Sequence, residues 1–271
     1  MNRDLTQGPV TKSMLLFALP MILGNLLQQF YNVADTLIVG QFLGSTALAA
    51  VGSSYTLMTF LTSILLGMCM GSGAVFSIRF GEGDLPRLKN SLSLSFLLIG
   101  GFTVALNVAV FLLIDPMMAL LQVPADVIPL MRSYLWVIFW GIGGTFLYNY
   151  FASLLRAVGN SATPLVFLGV SAVLNIVLDL VFVVAVPWGV AGAAFATSFS
   201  QWVSGVGLLV YTWKRMAHLR PSRQDVYWKK DRVGEIARFS LLTCVQQSVM
   251  NFGILMVQGL VNSFGTVVMA A

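Results

Sequence analysis

Seven apolar runs, each long enough to cross a bilayer, dominate this chain. They cover roughly residues 14–40, 47–78, 91–114, 128–155, 164–186, 191–213 and 236–262, and each exceeds the 18 or so residues that span about 30 Å of hydrocarbon. In that solvent every backbone amide must find its partner within the chain, which leaves only helices or closed barrels. A barrel would show alternating segments of about 10 residues. None is seen, so the expected fold is an all-α integral membrane protein, a polytopic helical bundle. Composition agrees, with 58% hydrophobic and 9% charged residues, against about 25% charged in soluble domains. The first run is too long for a cleaved secretory signal and leads straight into further spans, so it is expected to be retained.

The chain carries a net charge of +5. A basic balance can indicate nucleic acid, but here the basic residues collect in the loops of one face. With the N-terminus cytoplasmic, Arg3, Lys12, Arg79, Arg87, Lys89, Arg156 and the basic residues of 214–238 fall inside, and only Arg132 falls outside. The lysine and arginine rule therefore predicts that topology, with the bilayer as partner and no nucleic acid. Cys69 and Cys244 stand alone in different spans, without redox or metal spacing, and read as packing residues.

One long polar break, "KRMAHLRPSRQDVYWKKDRVGE" at 214–235, separates six spans from a seventh. It divides the chain into a six-span lobe (1–213), a basic cytoplasmic linker (214–235) and a seventh span with the start of an eighth (236–271). After the linker the pattern restarts: "SFGTVVMAA" at 263–271 resembles "FLGSTALAA" at 42–50, and Phe239, Leu241 and Phe252 match Phe17, Leu19 and Phe30. Repeats of this kind are common in membrane carriers. The chain stops as the second repeat reaches the equivalent of residue 50, so half of a longer protein is expected.

Asp35 and Asp179 are the two acids that lie away from loops and helix ends. A charged carboxylate at the centre of a membrane helix costs roughly 2.5–3.5 kcal/mol on insertion scales, so something must offset it. Spans one and five both run outward, which puts the two acids at similar depth. Thr197 in span six lies at the same level, and Asn175 is one turn below Asp179 on the same face. Asn149 in span four is a further candidate. Two carboxylates, an amide oxygen and a hydroxyl can form an oxygen cage for Na⁺, or a desolvated carboxyl pair that holds a proton. Gln28, Asn32 and Asp35 share one face of span one, as a stripe along a water-filled cavity requires. Pro20 frees a backbone carbonyl lower in that helix and permits a bend or hinge. Gly67, Gly71 and Ser72 read as close helix packing of the small-xxx-small type. "FGEGDLPR" at 80–87 lacks a full GxGxxG and follows a helix, which excludes a nucleotide site.

Pro20, Asp35, "VGQFLGSTALAAVG" (39–52), "LRAVGNSATP" (155–164) and "LNIVLD" (174–179) together resemble the multidrug and toxic compound extrusion (MATE) transporters. That resemblance implies the six-helix N-lobe of a twelve-helix, two-lobe antiporter in a bacterial-type plasma (inner) membrane. Its cargo would be organic cations or amphipathic compounds, exchanged for Na⁺ or H⁺, with no cofactor beyond the transported ion. Positions matching the family's N-lobe coupling site are Asp35, Asn149, Asn175, Asp179 and Thr197; for Na⁺ the oxygen ligands would come from Asp35, Asn175, Asp179 and Thr197. Gln28 and Asn32 fall on the substrate path, and Pro20 at the hinge. The chain supplies one lobe and about one helix, so a missing C-terminal half or a self-dimer is expected to complete it. Two alternatives stand beside this reading: a lipid or polysaccharide-precursor flippase, which would need arginines in its cavity, and a non-transporting membrane fragment associated with a full-length partner. No nucleophile, base or metal cluster points to an enzyme.

Overall fold

A computed structural model describes residues 10–222 and 225–265. Among them there is no strand, and the seven expected spans are all helices. They are α1 (Val10–Leu43), α2 (Ser45–Gly81), α3 (Leu85–Leu112), the pair α5 (Ile128–Ile138) and α6 (Ile142–Ala157) joined through a 3₁₀ turn, α7 (Ala162–Asp179) continued by a π-helical turn (Leu180–Ala185), α8 (Val190–Arg215) and α9 (Lys230–Asn262). A short helix, α4 (Ile114–Leu120), lies between α3 and α5. Two helices start well before the sequence reading has them. Helix α3 starts at Leu85, because Asp84 caps its first turn by accepting from the Arg87 amide at 3.0 Å. Helix α9 starts at Lys230, so the end of the predicted linker is helical. Of the proposed repeat, residues 266–271 lie outside the described residues.

Helix α2 is the post around which the bundle packs. It buries Leu57, Leu61, Leu65, Cys69, Val75 and Phe76 and carries small residues where a neighbour must come close. A methyl group added to Gly67 would stand 2.5 Å from Cα of Cys244, and one on Gly71 only 2.4 Å from the Phe239 carbonyl oxygen. The backbones of α2 and α9 are therefore in contact at both places. Lipid tails are as apolar as leucine, so such contact, with hydrogen bonds across it, supplies the attraction that water exclusion cannot. Ser72 and Ser240 hydroxyls meet at 3.1 Å in the same seam. At the far end of α9 Asn262 donates to the Leu121 carbonyl at 2.8 Å and accepts from Ser53 at 3.0 Å. At the basic end Arg79 forks onto both oxygens of Glu235, at 2.6 and 2.7 Å, and also reaches Glu82 at 2.8 Å.

A second knot forms around Tyr150 of α6, whose hydroxyl donates to the Leu92 carbonyl at 2.7 Å and meets Ser95 at 2.9 Å. Phe76, Phe96, Phe146 and Phe151 surround its ring at centroid distances of 5.3–5.9 Å, in the range where tilted aromatic pairs attract. Helices α1 and α9 remain at the edge: Leu19, Leu26 and Phe30 of α1 and Leu241, Val249 and Met250 of α9 are exposed.

The segment between α8 and α9 is tied down by one residue that hydropathy passes over. Asn90 of α3 is fully buried; its amide donates to the carbonyls of Asp225 and Tyr227 at 2.8 and 2.9 Å, while its oxygen accepts from Arg232 at 2.8 Å. Arg232 also reaches the Tyr227 hydroxyl. The Ser222 amide and hydroxyl hold the Asp225 carboxyl below the usual carboxylate range. Its contribution to the turn is thus present at neutral pH and is lost as pH falls through the depressed value.

Two outcomes are expected. In a background lacking the native cysteines, Ser72→Cys with Ser240→Cys should cross-link efficiently, and adding Gly71→Leu should abolish the cross-link by forcing the helices apart. Asn90→Ala removes three hydrogen bonds from a buried site and should cost about 1–3 kcal/mol, read as a severalfold rise in chymotryptic cleavage at Tyr227 and Trp228.

Candidate functional site

The two membrane acids come together. Asp35 from α1 and Asp179 from the last residue of α7 stand side by side. Asp179 has no solvent exposure, and neither of its oxygens has a hydrogen-bond donor; nor does Asp35 Oδ1. One turn below, Asn175 donates through Nδ2 to Thr197 Oγ1 of α8 at 3.2 Å, which leaves its own Oδ1 without a donor. Helices α1 and α7 thus bring four uncompensated oxygens together, with Thr197 of α8 beside them. Leaving buried polar atoms unpaired is expensive, and a set made only of oxygens is satisfied by a hard cation, or by a proton shared between the carboxyls. Beyond Asp179 the helix widens: the Val186 amide bonds to the Val181 carbonyl at 2.7 Å, five residues back. Such π turns recur beside functional residues.

Asp35 and Thr197 also line a cavity of about 530 Å³ enclosed mainly by α1, α2, α6, α7 and α8. Gln28 and Asn32 share this wall, and Asn32 donates to the Tyr55 hydroxyl at 3.1 Å. Pro20 lies on the wall toward the basic end, and α1 continues through it as one helix. Asn149 also lines the cavity, but its amide is turned onto its own helix, donating to the Thr145 carbonyl at 2.9 Å. No hydrogen bond joins it to the acid pair among the described residues.

Several residues in this region went unread in the sequence. Tyr31 lines the cavity with Gln28, Gln201 and Asp35, and Tyr134 stands buried near both acids. Helical spacing held the signal for two of them: Tyr31 is four residues before Asp35, and Gln201 four after Thr197. Arg156 is a correction. Counted among the loops, it lies in the last turn of α6 and on the cavity wall, because α6 runs to Ala157 before the chain turns through Gly159.

Comparison with known proteins gives this arrangement its context. A family model described as MatE matches residues 20–181. The chain belongs to the MatE family. The matched stretch runs from Pro20 through Asp35 to just past Asp179, so both acids are in it. Two Bacillus subtilis (strain 168) proteins are similar to this MatE chain: the probable multidrug resistance protein YpnP, 32% identical over 97% of this chain and 58% of its own length, and the probable multidrug resistance protein YoeA, 30% identical with the same coverage. A solved structure described as the outward-facing conformation of a multidrug resistance MATE family transporter of the MOP superfamily superimposes with a TM-score of 0.85, at 24% identity, covering 91% of this chain and 55% of that one. The chain spans about half the length of the relatives it matches.

Neutralising the pair should separate its stabilities. Asp179→Asn should melt higher than the parent chain in buffer at neutral pH without Na⁺, because it removes an uncompensated buried charge. The parent chain should gain several degrees on addition of saturating Na⁺ or on acidification, as any ligand of the folded state provides, and Asp179→Asn should not respond. Melting followed by tryptophan fluorescence in detergent checks both.

Proposed function

We propose that this chain forms the N-terminal lobe of a cation-coupled exporter of organic cations and amphipathic compounds. In this reading residues 1–213 are the lobe, the segment 214–235 is a linker on the cytoplasmic side, and 236–271 begin a second lobe. The N-terminus is cytoplasmic in a bacterial plasma membrane, so the acid pair lies toward the outside. The carrying observation is the set of donor-free oxygens on Asp35, Asp179 and Asn175 beside a half-polar cavity of about 530 Å³. The relatives' names as probable multidrug resistance proteins support the cargo class.

The mechanism follows from where the charge resides. With the pair empty, two negative charges repel within a dry pocket and favour solvent entry between α1 and α7. A Na⁺ or proton arriving from outside neutralises them, so the carboxyl groups draw together and α1 closes toward α7. Helix α1 suits this role: its apolar face is largely exposed, and Pro20 removes one of its internal hydrogen bonds. Closure of α1 narrows the cavity and expels cargo, and opening of the other side releases the cation. The coupling is reciprocal, so bound cargo lowers cation affinity by the same factor as the cation lowers cargo affinity. A second half or a second copy supplies the opposite wall. The flippase reading is not favoured, since the cavity walls carry one arginine where a diphosphate cargo calls for several.

Uptake of a fluorescent organic cation into proteoliposomes, under imposed Na⁺ or pH gradients, tests the proposal. Uptake driven by one gradient and lost in Asp35→Asn and Asp179→Asn is the expected result, with the effective gradient naming the ion. Gradient-driven uptake unaltered in both variants would sink the assignment of the acids. Absence of flux, both alone and with the second half supplied on a separate chain, would favour a non-transporting fragment.

A further inference from the structure

The cavity has a second pole. At the end opposite Asp35 its wall is formed by Arg156, Ser161, Tyr148 and Pro164. The Nε of Arg156 is buried and has no hydrogen-bond partner. Among the described residues no carboxylate lies within 4.0 Å of its guanidinium. Arg79, Arg87 and Arg132, by contrast, all pair with acids. A guanidinium does not discharge by losing its proton, so on this wall, where Arg156 is half-buried, its Nε needs an anion or water as a partner.

The surroundings of Arg156 are built to the same sign. Helix α7 starts here, with no acidic residue in its first turn and no capping bond from the Ser161 side chain. Asn160 provides that bond, accepting from the Thr163 amide at 3.1 Å. The Tyr148 hydroxyl is occupied, donating to the Pro164 carbonyl at 3.2 Å, and so shields that carbonyl from the pole. The partial positive charge of the helix start adds to the guanidinium. Between this pole and the acid pair, Leu165, Leu168 and Met21 form an apolar stretch of wall.

We infer that Arg156 is an oxyanion-recognising residue of the chamber, and that the cargo includes amphiphiles carrying a carboxylate or phosphate group. The anion takes the fork of Arg156 with the start of α7, and the apolar body lies along Leu165 and Leu168. The inference rests on reading the cavity as the cargo chamber, and it adds a cargo class that the acid pair alone does not suggest.

The test uses the full chain in lipid nanodiscs and two probes of nearly equal size, dansylglycine with a carboxylate and dansylamide without one, measured against empty nanodiscs. The organic cation tetraphenylphosphonium serves as the control for the chamber itself. Dansylglycine should bind about tenfold more tightly than dansylamide, the difference expected of one charge-assisted hydrogen-bonded contact. Arg156→Gln should erase that preference without altering binding of dansylamide or tetraphenylphosphonium, and Arg156→Lys should recover part of it. Competition by benzoate and by phenyl phosphate ranks the two oxyanions. Equal affinities of the two dansyl probes in the parent chain would overturn the inference, as would an Arg156→Gln variant of normal melting temperature that weakens both equally. If Arg156→Gln fails to fold, the salt response of the parent chain decides: an anion preference unmoved by high salt is not electrostatic and overturns the inference. Tetraphenylphosphonium binding with no anion preference removes only the inference; failure of all three probes to bind removes the chamber reading as well.

Discussion

Contact between the backbones of α2 and α9 supports much of the rest of this bundle. In water two helices are pressed together because their apolar faces leave the solvent; in lipid that gain is absent, and attraction has to come from closeness itself. Gly67 and Gly71 provide the closeness, and Ser72, Ser53 and Arg79 add polar links along the same line. With α2 fixed on one side by α9 and on the other by α5 and α6, the remaining helices have a rigid surface to pack against. Helix α1 keeps much of its apolar face exposed at the edge of the bundle, which suits the moving role proposed for it.

The acid pair works in the opposite sense. Asn90, Tyr150 and Asn262 find partners inside the protein for their buried polar groups; neither oxygen of Asp179 does. Its burial among apolar neighbours makes the charged state costly, and its closeness to Asp35 makes two charges costlier still. In the coupling proposed above, a cation bound between them relieves that cost, and its binding energy drives the change of helix position. Rigidity at α2 and discomfort at Asp179 complement each other.

Much of this was legible in the sequence because the bilayer simplifies the code. Hydropathy located seven spans, and the cost of a carboxylate in hydrocarbon singled out Asp35 and Asp179; the shared outward direction of spans one and five put them at similar depth. The small residues of "GMCMGSG" indicated close packing, although not which helix comes close. What stayed hidden depends on rotation and on side-chain reach. Tyr31, Tyr134 and Gln201 are ordinary residues in apolar spans until the helices are turned to face each other. Asn90 lies at a helix start where polar residues are common, and only the fold of the following segment onto it reveals its role. Arg156 was misplaced because the lysine and arginine rule assigns a side of the membrane and says nothing about whether a side chain points to water, lipid or a cavity.

The π turn after Asp179 has a consequence for how this chain tolerates change. A stretch that holds one residue more than α-helical geometry needs can lose that residue and remain a helix. A deletion within Val181–Val184 would convert the wide turn to an ordinary one and leave Asp179 and Asn175 where they are, with the chain beyond kept close to its present direction. Phe182 stacks on Trp188 at 4.6 Å in this turn, and that stack would be the part lost. The carboxylate and the loop that follows it are thus separated by a mechanical joint, so that length changes on the far side of Leu180 need not disturb the acid pair.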